Sequence, residues 1–287
     1  MTLLQIKETF RKELTGLYPT QEIDNFFYML TEEYLQMKRP DIAFEPHKKI
    51  NSPAGKSFFT ALNRLKNEEP VQYIIGETIF CNLPFKVDKN VLIPRPETEE
   101  LVQWIIDEYK NHNSEIKLLD IGTGSGCIAI ALAKNLPDTS VQAMDVSAKA
   151  LQKAKENAEL NDVEIRFLKE DILTLKDLND KYNVIVSNPP YVRMLEKDEM
   201  KNNVLKFEPG LALFVEDQDP LLFYRKIAGF AKEHLCSYGK LFFEINQYQA
   251  KATTDLLKKE GFSQIELKQD IFGNDRMIKA VFTGSVN

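Results

Sequence analysis

The sequence predicts an α/β protein in which helices cover both faces of a mostly parallel, twisted sheet, with a small all-α domain in front and a β-hairpin linker between them. Three observations lead to this class: apolar residues recur at helical spacing over 1–75, strands and helices alternate from residue 116 onward, and a glycine turn follows the first of these strands. We therefore expect a helical domain over 1–75, a hairpin linker over 76–95 and an α/β domain over 96–287.

Local patterns predict each element in turn. Apolar residues at three- and four-residue steps predict helices over 21–36 and 57–66. The stretch 71–87 is rich in β-branched and aromatic residues and contains turn signals, so a hairpin is predicted there, and a one-sided apolar stripe predicts a helix over 97–110. The remaining pattern predicts strands over 116–121, 141–144, 164–168, 182–186, 240–245 and 276–282, and helices over 127–134, 148–160, 220–235 and 250–259.

Composition narrows the class of protein. The chain has 287 residues, with 37 basic against 43 acidic side chains, a formal net charge of −6, 43% hydrophobic and 28% charged residues, which is typical of a soluble globular protein. The acidic balance argues mildly against a partner bound mainly through its phosphates. Three scattered cysteines and three scattered histidines predict neither a disulfide framework nor a metal site. Without an apolar run near the ~20 residues that span a bilayer, and without a signal-peptide pattern, we expect a cytoplasmic protein.

Three alternate glycines, Gly122, Gly124 and Gly126, stand between a predicted strand and a predicted helix. Because glycine lacks a Cβ atom, these positions allow positive φ and let the backbone approach a ligand closely. The G-x-G-x-G spacing differs from the G-x-G-x-x-G pattern that binds a pyrophosphate, which disfavours an NAD-dependent enzyme. The alternative is that the glycines only form a tight turn.

Acidic residues follow the next two strands. Asp145 ends one strand, where a carboxylate can accept both hydroxyls of a ribose. Glu170 and Asp171 follow the other, where an oxygen can accept an adenine amino proton while Ile172 packs on the ring. Since the carboxyl ends of parallel strands meet at one edge of a sheet, these ends together predict an adenosine pocket without a phosphate site. Alternatively, the acids are solvated loop residues.

The tetrapeptide Asn188-Pro189-Pro190-Tyr191 follows the strand predicted over 182–186, at the same edge. Proline fixes φ and lacks an amide proton, so the loop is stiff and leaves carbonyl acceptors free. The Asn188 side-chain oxygen and the Pro189 carbonyl can hold the two protons of a planar NH₂ group, with its nitrogen aimed at an electrophile. Tyr191 can offer a flat face to that group or to a cationic sulfonium. The alternative is a proline-stiffened turn after a core strand.

With these motifs, the sequence resembles the S-adenosylmethionine-dependent amino-methyltransferases, which pair a G-x-G-x-G turn with an N-P-P-Y loop. Within that group it is similar to the release-factor glutamine methyltransferases, the PrmC or HemK family, over nearly the whole chain. Further family-like segments lie at 69–76, 92–99, 207–213 and 273–276, of which the I-P-R-P-E-T-E stretch is the most specific. The resemblance implies the Rossmann-like fold of the class I methyltransferases.

The resemblance also implies an activity: methylation of the side-chain amide nitrogen of the glutamine in the Gly-Gly-Gln motif of peptide chain release factors, with S-adenosylmethionine as cofactor and S-adenosylhomocysteine as product. We also expect a monomer that acts on a protein, without direct binding to nucleic acid or membrane. Cofactor-binding residues would be Gly122, Thr123, Gly124, Ser125, Gly126, Asp145, Asp171, Ile172 and Asn188, and the residues holding the target would be Asn188, Pro189, Pro190 and Tyr191. Ile172 stands where some family members carry tryptophan.

Two side chains and one rival function stay open. Arg95 can contact the cofactor carboxylate or the protein substrate, or pair with Glu97 or Glu99, and Glu208 can be catalytic or brace a loop. The rival is a nucleic-acid N6-adenine methyltransferase that grips a flipped base with the same loop. A non-catalytic binding module is a third possibility. The basic residues that could serve nucleic acid, or dock a protein, are Lys48, Lys49, Lys56, Arg64 and Lys66.

Overall fold

The computed structural model describes residues 1–112 and 114–284, which divide into a helical unit and a sheet-containing unit. The helices are α1 (Leu3–Leu14), α2 (Thr20–Leu35), α3 (Arg39–Phe44), α4 (Ser52–Lys66), α5 (Val71–Ile75), α6 (Pro96–Tyr109), α7 (Cys127–Asn135), α8 (Ala148–Leu160), α9 (Asn202–Phe207), α10 (Gly210–Leu213), α11 (Leu222–His234) and α12 (Ala250–Lys259). The strands are β1 (Glu77–Phe80), β2 (Leu83–Lys86), β3 (Ile116–Ile121), β4 (Thr139–Asp145), β5 (Arg166–Lys169), β6 (Tyr182–Ser187), β7 (Val192–Arg193), β8 (Phe214–Val215), β9 (Leu235–Glu244), β10 (Ser263–Gln269) and β11 (Asp275–Phe282).

The helical unit is built around aromatic side chains. Thr2 starts α1 with a capping box, and Asn51 caps α4 through its side-chain oxygen. Phe10, Phe27 and Phe58, from α1, α2 and α4, are fully buried with ring centroids 6.2–6.3 Å apart. Because each helix presents one apolar stripe, the three stripes close over a single core.

A short segment from the second half of the chain belongs to this helical unit. The unit comprises Met1–Gly76 together with Lys201–Phe207. Glu68 accepts hydrogen bonds from Lys206 Nζ at 2.6 Å and from Asn202 Nδ2 at 3.2 Å. The sequence-based limits place this segment within 96–287, because contacts remote in sequence associate it with the N-terminal helices.

The sheet-containing unit confirms the predicted α/β class. Among the described residues, seven strands form one sheet in the order β10-β11-β9-β6-β3-β4-β5. Strands β9, β6, β3, β4 and β5 are parallel, whereas β11 runs antiparallel to both β9 and β10. The chain proceeds outward from β3 to β5 and then returns to β6 beside β3. The carboxyl ends of β3 and β6 therefore flank a topological switch point, where ligands bind in such sheets.

Helices cover both faces of this sheet because side chains alternate along its strands. Leu118 and Val184 pack with α6 and α7 on one face, whereas Leu119 and Ile185 pack with α11 and α12 on the other. All four side chains are fully buried. A central strand buried on both faces is mostly apolar, which explains the nearly continuous apolar runs of the sequence.

Three local predictions were wrong or incomplete. The start of the stretch 71–87 forms α5 rather than a strand, because Pro70 precedes the helix and Gly76 ends it at a φ of 87°. Strand β9 begins at Leu235, before the predicted 240. The edge strand β10 was not predicted, since its side chains are mostly exposed and the apolar alternation is weak.

Candidate active site

A cavity of about 240 Å³ opens beyond the carboxyl ends of the parallel strands in the sheet-containing unit. The turn after β3, the end of β4, the segment after β5 and the loop after β6 all contribute to its lining. Among the predicted site residues, all but two line it. The exceptions are Gly126, the last glycine of the turn, and Tyr191, which lines a neighbouring cavity of about 50 Å³ together with Asn188.

The glycine turn forms the wall nearest the switch point. Gly122, Gly124 and Gly126 have φ values of 74°, 56° and 82°, a region that L side chains rarely adopt. A Cβ atom on Gly122 or Gly124 would meet nothing within 4 Å, so the space before them is open. A Cβ atom on Gly126 would lie 2.9 Å from Ile130 Cδ1 and 3.1 Å from Ala154 Cβ. Hence the first two glycines leave room for a ligand, and the third allows α7 to pack on α8.

Asp145 stands at the end of β4 with its carboxylate fixed by backbone groups. Its Oδ2 accepts from Gly124 N at 2.9 Å and its Oδ1 from Ser147 N at 2.8 Å. Burial raises the pKa of Asp145, and the amides of Ser147, Gly124 and Val146 oppose that rise. Each oxygen keeps acceptor capacity for a further donor, which is what binding a pair of hydroxyls requires.

Two buried polar residues that the sequence reasoning missed support the glycine turn. Asp120 Oδ2 accepts from Thr123 Oγ1 at 2.6 Å, and burial raises the pKa of Asp120 to about 7. Asn157 donates to Ser125 O at 2.9 Å and forms two hydrogen bonds with the backbone of Lys86, at 2.7 and 3.0 Å. An acidic residue inside an apolar strand is a signal that could have identified the first; nothing local marks the second.

The segment after β5 completes the opposite wall. Asp171 and Ile172 both line the cavity, and Asp171 Oδ1 accepts from Leu173 N at 2.9 Å. Glu170 N donates to Asp145 O at 3.2 Å, so the ends of β4 and β5 are connected by their backbones. The structure thus brings together the three strand ends from which the adenosine pocket was predicted.

The loop after β6 is held by side chains rather than by backbone. Asn188 Nδ2 donates to Thr98 Oγ1 at 3.3 Å, and Thr98 Oγ1 donates to Glu244 Oε2 at 2.6 Å. Tyr191 donates from its hydroxyl to Glu244 Oε1 at 3.1 Å. The two partners of this loop were missed as site residues: Thr98 is 2% exposed at the start of α6, and Glu244 is 1% exposed at the end of β9.

Burial is the largest influence on the Glu244 carboxyl and raises its pKa. The hydrogen bonds from Thr98 and Tyr191 and the charge of Arg276 oppose this rise. Burial also raises the pKa of the Tyr191 hydroxyl well above its ordinary value, so this phenol keeps its proton and acts as a donor.

Arg95 pairs with Glu208 rather than with Glu97 or Glu99, so that predicted alternative was wrong. Arg95 donates to Glu208 Oε1 at 2.5 Å, and Glu208 Oε2 accepts from Ile93 N at 3.3 Å. The Glu208 side chain is 1% exposed and braces the segment that carries Arg95, which lines both cavities.

Neither a candidate metal site nor a membrane-spanning helix is present among the described residues. In 1–112 and 114–284, no group of three or more His, Cys, Asp or Glu side chains is arranged to hold a metal ion. Across the same residues, no helix combines the length and apolar character that crossing a bilayer demands.

Comparison with known proteins agrees with this geometry. A family model described as the methyltransferase small domain matches residues 98–206, and one described as the PrmC N-terminal domain matches residues 8–76. A solved SAM-dependent O-methyltransferase from Thermotoga maritima is similar over 69% of each chain, with a TM-score of 0.50 and 15% identity, and this likeness shows the fold alone. The sheet and its helices define the class I methyltransferase fold.

Curated relatives identify the family. A release factor glutamine methyltransferase from Flavobacterium psychrophilum is 53% identical over 98% of this chain and 100% of its own length. Another, from Bacteroides thetaiotaomicron, is 41% identical over 96% of this chain and 99% of its own length. The chain belongs to the release factor glutamine methyltransferase family.

Proposed function

We propose that this protein transfers a methyl group from S-adenosylmethionine to the side-chain amide nitrogen of the glutamine in the Gly-Gly-Gln motif of peptide chain release factors. The observation that carries the proposal is the Asn188 loop at the rim of the cavity, on a chain that belongs to this family. That loop offers hydrogen-bond acceptors to an NH₂ group beside a pocket with the features of an adenosine site.

The cavity residues fit the cofactor. The open space in front of Gly122 and Gly124 would accommodate its amino-acid part, Asp145 would accept the ribose hydroxyls, and Asp171 with Ile172 would receive the adenine. An isoleucine gives aliphatic packing in place of ring stacking. When bound, this cofactor supplies an electrophilic methyl group on a positively charged sulfur.

The target amide needs help from the protein because its nitrogen lone pair is delocalised into the carbonyl. The Asn188 side-chain oxygen and the Pro189 carbonyl accept the two amide protons, which orients the NH₂ group and increases electron density on nitrogen. Positioning supplies most of the acceleration, and oriented dipoles stabilise the charge that develops on the nitrogen. Since the loop carries no convincing general base, the proton leaves to water after the transfer.

The parts of the chain divide this work. We propose that the helical domain over 1–75 recognises the release factor, that 76–95 is a linker, and that 96–287 performs the transfer. The protein acts as a monomer in the cytoplasm on a folded protein partner, and shape and hydrogen bonds, rather than phosphate contacts, select the glutamine.

Transfer of radiolabel from methyl-labelled S-adenosylmethionine tests the proposal against its rival. Purified release factor, total RNA and DNA are offered to the enzyme in parallel. We expect label in the release factor alone. Label confined to nucleic acid would instead support an adenine methyltransferase, and cofactor binding without any transfer would support a binding module.

A further inference from the structure

A chain of hydrogen bonds connects Asn188, at the rim of the cavity, to a buried carboxylate. It runs from Asn188 Nδ2 to Thr98 Oγ1 at 3.3 Å and from the Thr98 hydroxyl to Glu244 Oε2 at 2.6 Å. These three residues lie on different elements: the loop after β6, the first turn of α6 and the end of β9. Their sequence separations of 90 and 146 residues mean that only the tertiary fold assembles the chain.

The direction of each hydrogen bond follows from counting protons. The hydrogen bonds from Thr98 and Tyr191 and the charge of Arg276 favour the ionised form of Glu244 against burial. An ionised carboxylate can only accept, and a hydroxyl has one proton to donate. Tyr191 donates its proton to Glu244 Oε1 at 3.1 Å, so Thr98 is left to donate to Oε2. With its proton committed, the Thr98 oxygen can only accept from Asn188, and the amide must therefore turn its Nδ2 toward Thr98.

The opposite side of the same amide is then fixed. Within the part of the chain that the structure describes, Asn188 Oδ1 has no hydrogen-bond partner, and the residue lines both cavities. An amide in the reverse orientation would aim two donor protons at the two donor protons of a substrate NH₂ group. The carboxylate therefore favours the one orientation that suits a primary amide.

We propose that Thr98 and Glu244 are positioning residues that fix the orientation of the Asn188 amide and so select a primary amide as the methyl acceptor. The inference rests on the proposed function and adds the device that makes the Asn188 oxygen face the target. Neither residue is a catalytic residue, because each acts through Asn188.

Substitutions along the chain separate this role from a general structural one. Thr98→Val removes the acceptor for Asn188 Nδ2. Glu244→Gln provides a donor that can satisfy Thr98, whose proton is then free to bond Asn188 Oδ1 and hold the reversed amide. Thr98→Ser keeps the hydroxyl. Thr253→Val is the matched control, since Thr253 is fully buried in the same unit and its hydroxyl has no hydrogen-bond partner among the described residues.

The experiment measures release-factor methylation at saturating S-adenosylmethionine with the full-length chain. We expect Thr98→Val and Glu244→Gln each to lower kcat by about 10- to 100-fold, with cofactor affinity by calorimetry and KM for the release factor within about threefold of wild type. Thr98→Ser should recover most of the turnover, and Thr253→Val should match wild type. Wild-type turnover in both Thr98→Val and Glu244→Gln, or loss in Thr98→Ser equal to that in Thr98→Val, overturns the inference.

A second readout reports the amide orientation itself. Release-factor variants with Gly-Gly-Glu or Gly-Gly-Ala in place of Gly-Gly-Gln serve as competitors. The alanine variant measures docking of the release factor alone. In Thr98→Val and Glu244→Gln, a reversed amide donates to the glutamate, so its inhibition constant should fall by about 3- to 10-fold while that of the alanine competitor is unchanged. An unchanged glutamate constant in both variants overturns the inference, and where one variant is too unstable for kinetics, an unchanged constant in the other overturns it alone. A wild-type chain that fails to methylate the release factor instead overturns the proposed function.

Discussion

The glycine turn after β3 and the Asn188 loop after β6 lie on neighbouring strands, yet different groups hold them in place. Positive φ values at its three glycines shape the turn, and the side chains of Asp145, Asp120 and Asn157 bond to it. Side chains from α6 and β9 orient the loop. The turn can therefore hold a constant ligand, whereas the loop can be tuned to one kind of acceptor through distant residues.

Asn188→Ala should produce the largest effect, and it should impair binding of the target amide far more than binding of the cofactor. We expect turnover to fall by about 100- to 1,000-fold, because both the acceptor and the orientation of the NH₂ group are lost. Cofactor affinity should change by less than about tenfold. Kinetics and calorimetry on the same preparation measure the two quantities, and near-normal turnover would contradict the assignment.

Substitutions at the glycines distinguish the glycine that is needed for helix packing from the one that leaves room for the cofactor. Alanine at Gly124 or Gly126 adopts a positive φ at a cost of about 1–2 kcal/mol. At Gly126 the Cβ also crowds Ile130 and Ala154, which adds about 1–3 kcal/mol.

Urea unfolding should therefore show a larger loss of stability for Gly126→Ala, whereas Gly124→Ala should lose cofactor affinity. Gly229→Ala is the control, since Gly229 lies within α11 and its Cβ would meet nothing within 4 Å. Equal stability of the two turn variants would refute the distinction between packing and ligand space.

Asp145→Asn should weaken cofactor binding and leave turnover at saturating cofactor nearly unchanged, the opposite of what we expect for Asn188→Ala. The loss of a charged acceptor for the ribose hydroxyls costs about 1.5–3 kcal/mol, which corresponds to about 10- to 100-fold in cofactor affinity. Turnover at saturating cofactor should stay within a few-fold of wild type. If calorimetry finds unchanged affinity, the ribose assignment fails.

Asp120→Asn should have the smallest effect on turnover, because it acts mainly on how stability depends on pH. The pKa of Asp120 is about 7 in the folded protein, against an ordinary value of 3.8. Between these values the folded state holds a proton that the unfolded state has lost. The free energy of unfolding therefore falls as pH rises from about 4 to 7, by up to about 1.4 kcal/mol per pH unit.

Urea titrations between pH 4 and 8 check this expectation. The stability of wild type relative to Asp120→Asn should decline up to about pH 7 and then level off. The control is Asp255→Asn, because Lys251 lowers the pKa of that exposed carboxyl and the contribution has the opposite sign. A pH-independent difference for Asp120→Asn would contradict the role of burial.

The glycine turn and the Asn188 loop also differ in how far the sequence could predict them. The requirement for glycine is local, so Gly122 and Gly124 were found from spacing, and Asp145 from its place after the next strand. Thr98 and Glu244 were missed because their roles depend on contacts with Asn188 across 90 residues and with each other across 146. The short helix α5 was missed because its β-branched residues are typical of a strand, although Pro70 and Gly76 mark the start and end of a helix.

The sequence predicted the fold class more directly than it predicted the ends of individual helices and strands. The apolar runs of β3 and β6 are buried on both faces, so each is recognisable without its neighbours. Strand β10 pairs along one edge with much of its length exposed, and its backbone hydrogen bonds to β11, rather than an apolar pattern, define it. Such pairing is a property of the folded sheet.

Intact-mass measurement of a release factor incubated with the enzyme and S-adenosylmethionine tests the central claim most directly. A protein with the Gly-Gly-Gln motif should gain one CH₂, about 14 Da, and a Gly-Gly-Ala variant should gain nothing. The gain should disappear with Asn188→Ala enzyme. An equal mass gain in both release factors, or in neither, would contradict the account.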